Sequence, residues 1–148
     1  MRIQRIPLFA VSCMAIMAAT ACGRREAEAR GNTTTSGGAN NIEVTDINIG
    51  RSINADLTIK DNTATFRPVD VIYASVETKG AAPATLGVRW TYQDNQVVDQ
   101  GTREIHPTGP TRTEFHISKP DGFPAGRYRL EVTLNGASAG SKEFEVQR

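Results

Sequence analysis

Leu86-Gly87-Val88-Arg89-Trp90-Thr91-Tyr92 and Tyr128-Arg129-Leu130-Glu131-Val132-Thr133-Leu134 decide the fold of this chain. In the first run Leu86, Val88, Trp90 and Tyr92 fall on one face, and Gly87, Arg89 and Thr91 on the other. The second run alternates in the same way. Successive side chains of a strand point to opposite faces, so a period of two marks a strand with one buried side. The second run ends at Asn135-Gly136, a two-residue hairpin signal because both residue types tolerate positive φ. A returning strand from about Ser141 through Phe144 and Val146 is therefore expected.

Further runs repeat the pattern outward from this pair. Ile72, Ala74 and Val76 form another apolar face, and Phe115 with Ile117 a shorter one. Asp94-Asn95 reads as a turn into Val97-Val98. Ile42, Val44, Ile47 and Ile49 change phase at Asp46, which predicts a bulge. Leu57 and Ile59 suggest one more short strand before Phe66-Arg67-Pro68. No long amphipathic helix pattern competes. Seven to nine short strands with turn signals between them predict an all-β fold, an antiparallel sandwich spanning residues 42–148.

Within that frame the chain resembles an immunoglobulin-like or fibronectin-type-III-like domain. Trp90 lies mid-strand where such folds place a core tryptophan. Gly126-Arg127-Tyr128 precedes a late strand, where a tyrosine corner would pin the chain through its hydroxyl. Leu130 stands where those folds carry their second disulfide cysteine, so the resemblance implies an Ig-like architecture held by packing alone. Trp90, Tyr128 and Leu130 are the expected core residues. The segment Phe123–Val132 also looks like the end of Ig-like domains in bacterial envelope proteins.

The first 41 residues read differently. Residues 1–21 have a basic start (Arg2, Arg5), an apolar run from Ile6 to Ala21 and small residues before Cys22, the layout of a secretory signal. The run is shorter than the about 20 residues a spanning helix needs, and Pro7 interrupts it. It resembles a bacterial lipoprotein signal, although Ala19 stands where Leu is usual. Ala19-Thr20-Ala21 is also a site for ordinary signal cleavage. That route would leave Cys22 as a lone thiol in an oxidising compartment, whereas lipidation gives it a use. By resemblance Cys22 carries acyl chains, more than one of which makes membrane attachment durable. Gly23 after the cysteine implies the outer rather than the inner membrane. Residues 22–41 have almost no large apolar side chains and read as a flexible tether. Roughly 19 such residues span about 24 Å root-mean-square.

Residues 42–148 carry 12 Lys and Arg against 14 Asp and Glu, so no basic surface argues for nucleic acid. Gly136-Ala137-Ser138-Ala139-Gly140 matches the nucleophile elbow of hydrolases, but only eight residues follow it and none is His. A blue-copper site needs Cys and usually Met, and residues 42–148 have neither. His106 and His116 are too few for a three-histidine zinc site; with Glu104 or Glu114 they form the one candidate cluster. Surface strand residues are the simpler reading. Asp61, Asp70, Asp94, Asp99 and Asp121 sit beside turn residues and read as local backbone acceptors.

The functional expectation is a non-catalytic, cofactor-free Ig-like module, lipid-anchored in the cell envelope and meeting an envelope protein or surface ligand. Candidate contact regions are the turns around Asp94, Thr108 and Asp121 and the sheet edges. The alternatives are an accessory of an envelope machine (a chaperone, secretion-system lipoprotein or enzyme inhibitor) and an enzyme of unrecognised type. An exposed strand edge or an apolar patch favours the accessory; a deep pocket joining His106 or His116 to carboxylates favours the enzyme.

Overall fold

Eight strands form in the order the alternation dictates: β1 (Glu43–Gly50), β2 (Thr65–Phe66), β3 (Ile72–Lys79), β4 (Ala84–Tyr92), β5 (Gln96–Ile105), β6 (Thr111–Ile117), β7 (Gly126–Leu134) and β8 (Ala137–Val146). They come from a computed structural model that describes residues 41–148; the signal, Cys22 and nearly all of the tether lie outside the described residues. One sheet has the order β1-β3-β6, the other β2-β8-β7-β4-β5. Every pairing is antiparallel except the short β2–β8 contact. This is an Ig-like sandwich. The first, second and fifth strands of such a fold share one sheet (here β1, β3 and β6), and the third, sixth and seventh the other (here β4, β7 and β8). The strand that would flank β6 is replaced by a direct run from β5.

The inner faces meet around aromatic rings. Trp90, Leu130, Val132, Leu86 and Phe66 are almost fully buried, as are Ile72, Ala74 and Val76 on the opposing sheet. Phe144 stands at the centre. It stacks on Tyr128 at 5.3 Å and meets the edges or faces of Trp90 and Phe66 at 5.9 and 5.4 Å. Edge-to-face and offset contacts suit the ring quadrupoles, so four aromatics from β2, β4, β7 and β8 close the core.

Turn chemistry fixes the registers. Asn135 and Gly136 take φ of 52° and 83°, and Leu134 faces Ala137 across the two-residue loop. Two successive left-handed residues match the twist of the strands they join. Asn135 also clamps the start of β4: its backbone N–H donates to the Thr85 carbonyl at 2.8 Å, and its side-chain Oδ1 accepts the Thr85 N–H at 2.9 Å. At Asp46 the β1–β3 register slips between Val44 and Asp46.

One expectation changes in detail. Leu57 and Ile59 form no strand; a single bridge joins Ile53 to Ile59. Leu57 takes φ 63° in a turn closed by its N–H to the Asn54 carbonyl, while Thr58 bonds Asp56 through backbone and hydroxyl. Local side-chain bonds of this kind compete with a ladder. The Asp94-Asn95 turn joins β4 to β5 as expected, with positive φ at Gln93 and Asn95.

Candidate functional site

The larger sheet overhangs the smaller one. β4 is covered by the opposing sheet, but its neighbour β5 extends past β6 and is exposed along almost its whole length. Cross-strand partners share a face. Asp99 opposes Trp90, Gly101 opposes Val88 and Arg103 opposes Leu86, so all three β5 residues lie on the inner face, beyond the cover of β6. Only Ile105 is buried there. Arg103 reaches back under the overhang, its guanidinium carbon 5.4 Å from the Phe115 ring centroid. An aromatic face attracts such a cation, and the contact closes the open flank at that point.

Toward the start of β5 the flank stays open. A cleft of about 460 Å³ runs between Gln96–Asp99, the end of β6 at Ile117 and the loop Ser118–Pro124, with Tyr92 and Tyr128 also lining it. Its walls include Val97, Phe123 and Pro124, and Asp99 and Lys119 stand among the lining residues. Val97 and Val98 are 49% and 37% exposed, two of the three exposed large apolar side chains among the described residues. The register slips at this place: Trp90 faces Asp99 and Thr91 faces Val97, a bulge that leaves Val98 without a partner, and both valines line the cleft. The loop opposite is held firmly. Tyr128 Oη donates to the Pro124 carbonyl at 2.8 Å and Tyr92 Oη to the Ala125 carbonyl at 3.0 Å. Burial, then the neighbouring Tyr92, pushes the Tyr128 hydroxyl up to about 12.

The expected core residues lie as follows: Trp90 is 1%, Tyr128 2% and Leu130 0% exposed. The candidate metal cluster does not assemble. His116 Nδ1 lies 2.6 Å from Glu114 Oε1 near the end of β6, while His106 lines a separate hollow with Arg103 and Thr111. Among the described residues no three His, Cys, Asp or Glu come together as metal ligands. Gly136–Gly140 forms the β7–β8 turn and the first residues of β8, so Ser138 stands on no strand-to-helix elbow.

Asp70, read in the sequence as a turn residue, has a larger part. Its side chain is 6% exposed. Oδ2 accepts Arg51 Nε at 2.9 Å and the Arg67 amide at 2.8 Å; Oδ1 accepts Arg67 Nε at 3.1 Å and Nη2 at 2.9 Å. Burial raises its pKa, but the Arg67 amide and the two guanidiniums outweigh that and hold the carboxyl below the usual range. The arrangement is structural. Arg51 also donates to the Thr65 carbonyl at 2.6 Å, tying the end of β1 to β2.

No family model and no curated protein matches this sequence. Among solved structures, an immunoglobulin-like protein from Pseudomonas aeruginosa is 16% identical over 75% of this chain and 100% of its own, with a TM-score of 0.49. The alkylpurine DNA glycosylase AlkC of Pseudomonas fluorescens is 17% identical over 74% of this chain, with a TM-score of 0.48. A β-glucosidase from Listeria innocua is 8% identical over 73%, with a TM-score of 0.46. This chain spans 31% of the glycosylase and 16% of the glucosidase. The strand order and the tyrosine hydroxyl bond, not these likenesses, define the architecture.

Proposed function

We propose that this chain is a non-catalytic Ig-like docking module of the bacterial cell envelope, held on the membrane through acylated Cys22. The observation that carries the docking role is the cleft beside Val97 and Val98, at the bulged start of an uncovered strand. An apolar surface at the end of a sandwich, backed by a rigid tyrosine-pinned loop, suits an apolar segment of a protein partner. It favours the accessory of an envelope machine over a binder of polar ligands. The anchoring rests on the sequence of residues 1–22, and a tether of residues 22–41 would let the cleft face a partner above the headgroups.

Two measurements test the parts separately. Cys22→Ala should move the protein from the membrane to the soluble fraction; retention in the membrane would end the lipidation reading. A photo-crosslinking residue at position 97 should give, in intact cells, an adduct with a different envelope protein, and one at Val69, which is 74% exposed and outside the cleft, should not. Equal labelling from both positions would remove the cleft as the docking site.

A further inference from the structure

The uncovered edge of β5 carries two opposite charges without an ionic partner among the described residues: Asp99 accepts the Gln100 N–H at 2.8 Å and Arg103 lies over Phe115. Asp99 and Arg103 both lie on the inner face, one on each side of Gly101, and neither forms an ion pair among the described residues. Four residues of strand separate them by about 13 Å, so they do not pair with each other. Inward charges on an edge strand oppose the addition of an unrelated strand, because an apolar or like-charged neighbour would leave them unpaired. One neighbour satisfies both. When β5 meets β5 of a second copy antiparallel about a two-fold axis at Gly101, Asp99 faces the partner's Arg103 and Arg103 faces the partner's Asp99.

We propose that two copies of this protein associate through β5, joining their five-stranded sheets into one ten-stranded sheet centred on Gly101. Gly101 itself supports the assignment. A side chain there would meet only Val88 Cγ2, at 3.9 Å, an ordinary contact, and its φ is not in the left-handed region. The single chain therefore gives no reason for glycine at a mid-strand position, where it costs about 0.5–1 kcal/mol against alanine. Strand glycines mark places where another backbone comes close. Glycine opposite its own copy leaves the seam clear for two long guanidiniums to lie beside the carboxylates. The bulge at Val97 and Val98 ends the regular stretch on one side, so Asp99–Arg103 is the part of the strand free to pair in register. An interface of this kind is self-complementary, as a two-fold requires, and its charges select the second copy over other strands.

The association goes beyond the docking reading and does not depend on it: membrane fractionation and the position-97 crosslink report on docking, and sedimentation reports on pairing. The full chain, extracted in mild detergent, is expected to sediment as a dimer that dissociates on dilution. Asp99→Arg alone and Arg103→Asp alone should each weaken the dimer at least ten-fold, because each places two like-charged pairs across the seam. The double exchange Asp99→Arg with Arg103→Asp restores opposite charges and should recover the dimer to within about three-fold. Thermal melts at dilution check that the variants fold. A wild-type chain that stays monomeric at the highest concentration reached, or a double exchange as weak as the single ones, overturns the proposal.

Discussion

Removing the Asp70 carboxylate tests how this disulfide-free sandwich joins its two sheets at the β1–β2 end. Asp70→Ala deletes an acceptor that takes four hydrogen bonds, all between 2.8 and 3.1 Å. The three donors do not weigh equally. The Arg67 guanidinium belongs to a side chain that is 73% exposed, so water replaces the carboxylate at a cost under about 1 kcal/mol. Arg51 is 35% exposed and keeps Thr65 and Asp61 as partners, which places its loss at about 1 kcal/mol. The Arg67 amide loses a charged acceptor in a half-closed turn, at about 1–2 kcal/mol. The expected loss is about 3 kcal/mol, the low end for breaking a buried pair, because both cations can reach solvent.

The sign of the pH dependence follows from the lowered pKa of Asp70. A depressed carboxyl stabilises the fold above its unfolded pKa and loses that contribution as pH falls through its folded value. The gap between wild type and Asp70→Ala should be constant above about pH 5 and begin to narrow below about pH 4. Urea unfolding followed by Trp90 fluorescence at a series of pH values measures both quantities. A loss under about 1 kcal/mol at pH 7, or a gap that does not narrow as pH falls below about 4, would refute the reasoning.

Three further outcomes are expected. Trp90→Ala should cost about 3–5 kcal/mol in urea unfolding followed by far-ultraviolet circular dichroism, since the ring is 1% exposed and packs edge-on against Phe144; a fold that survives unchanged contradicts its place in the core. Tyr128→Phe should cost about 1–2 kcal/mol by leaving the Pro124 carbonyl without its donor. In an absorbance titration one of the three tyrosines should ionise near pH 12, and that late step should vanish in the variant; its raised pKa stabilises the fold fully below about pH 10 and is lost as pH rises toward 12. Asn135→Ala should cost about 1–2 kcal/mol, because it removes both the bond to Thr85 and a residue that tolerates φ 52°, and unfolding midpoints in urea would show it.

The strands legible in the sequence were those with one clean buried face. β4 and β7 alternate without interruption, and the Asn135-Gly136 turn fixes their neighbour β8. β3 and β6 show the same signal over fewer residues. β5 escaped most of this reading because an edge strand beyond the cover of the second sheet has nothing to bury. Its ten residues carry one buried side chain, so the period-two signal fades after Val97-Val98. Asp70 was legible as a turn residue and no further, since its arginine partners include Arg51, 19 positions earlier in the chain. The cleft depends on the loop between β6 and β7 lying against the start of β5, a long-range placement that local periodicity does not record.

The open flank has one structural cause with two consequences. A fourth strand beside β6 would lie under β5, bury its inner face and call for apolar residues at positions 99, 101 and 103. The chain instead runs from β5 to β6 across the sandwich, and those positions hold Asp, Gly and Arg. Cover by water permits charge there, and Arg103 offsets part of the exposure by lying over Phe115. At the bulged end the same lack of cover leaves Val97 and Val98 facing solvent beside a rigid loop. An exposed apolar pair and an unpaired opposite-charge pair on one strand call for different neighbours. The valines gain from excluding water at any apolar surface, with little demand on geometry, whereas Asp99 and Arg103 gain only from a strand whose charges run in the opposite order. Salt therefore separates the two contacts. Raising ionic strength should weaken pairing through Asp99 and Arg103 and leave docking at Val97 unchanged or stronger; docking that weakens in parallel would mean that both use the same charged seam.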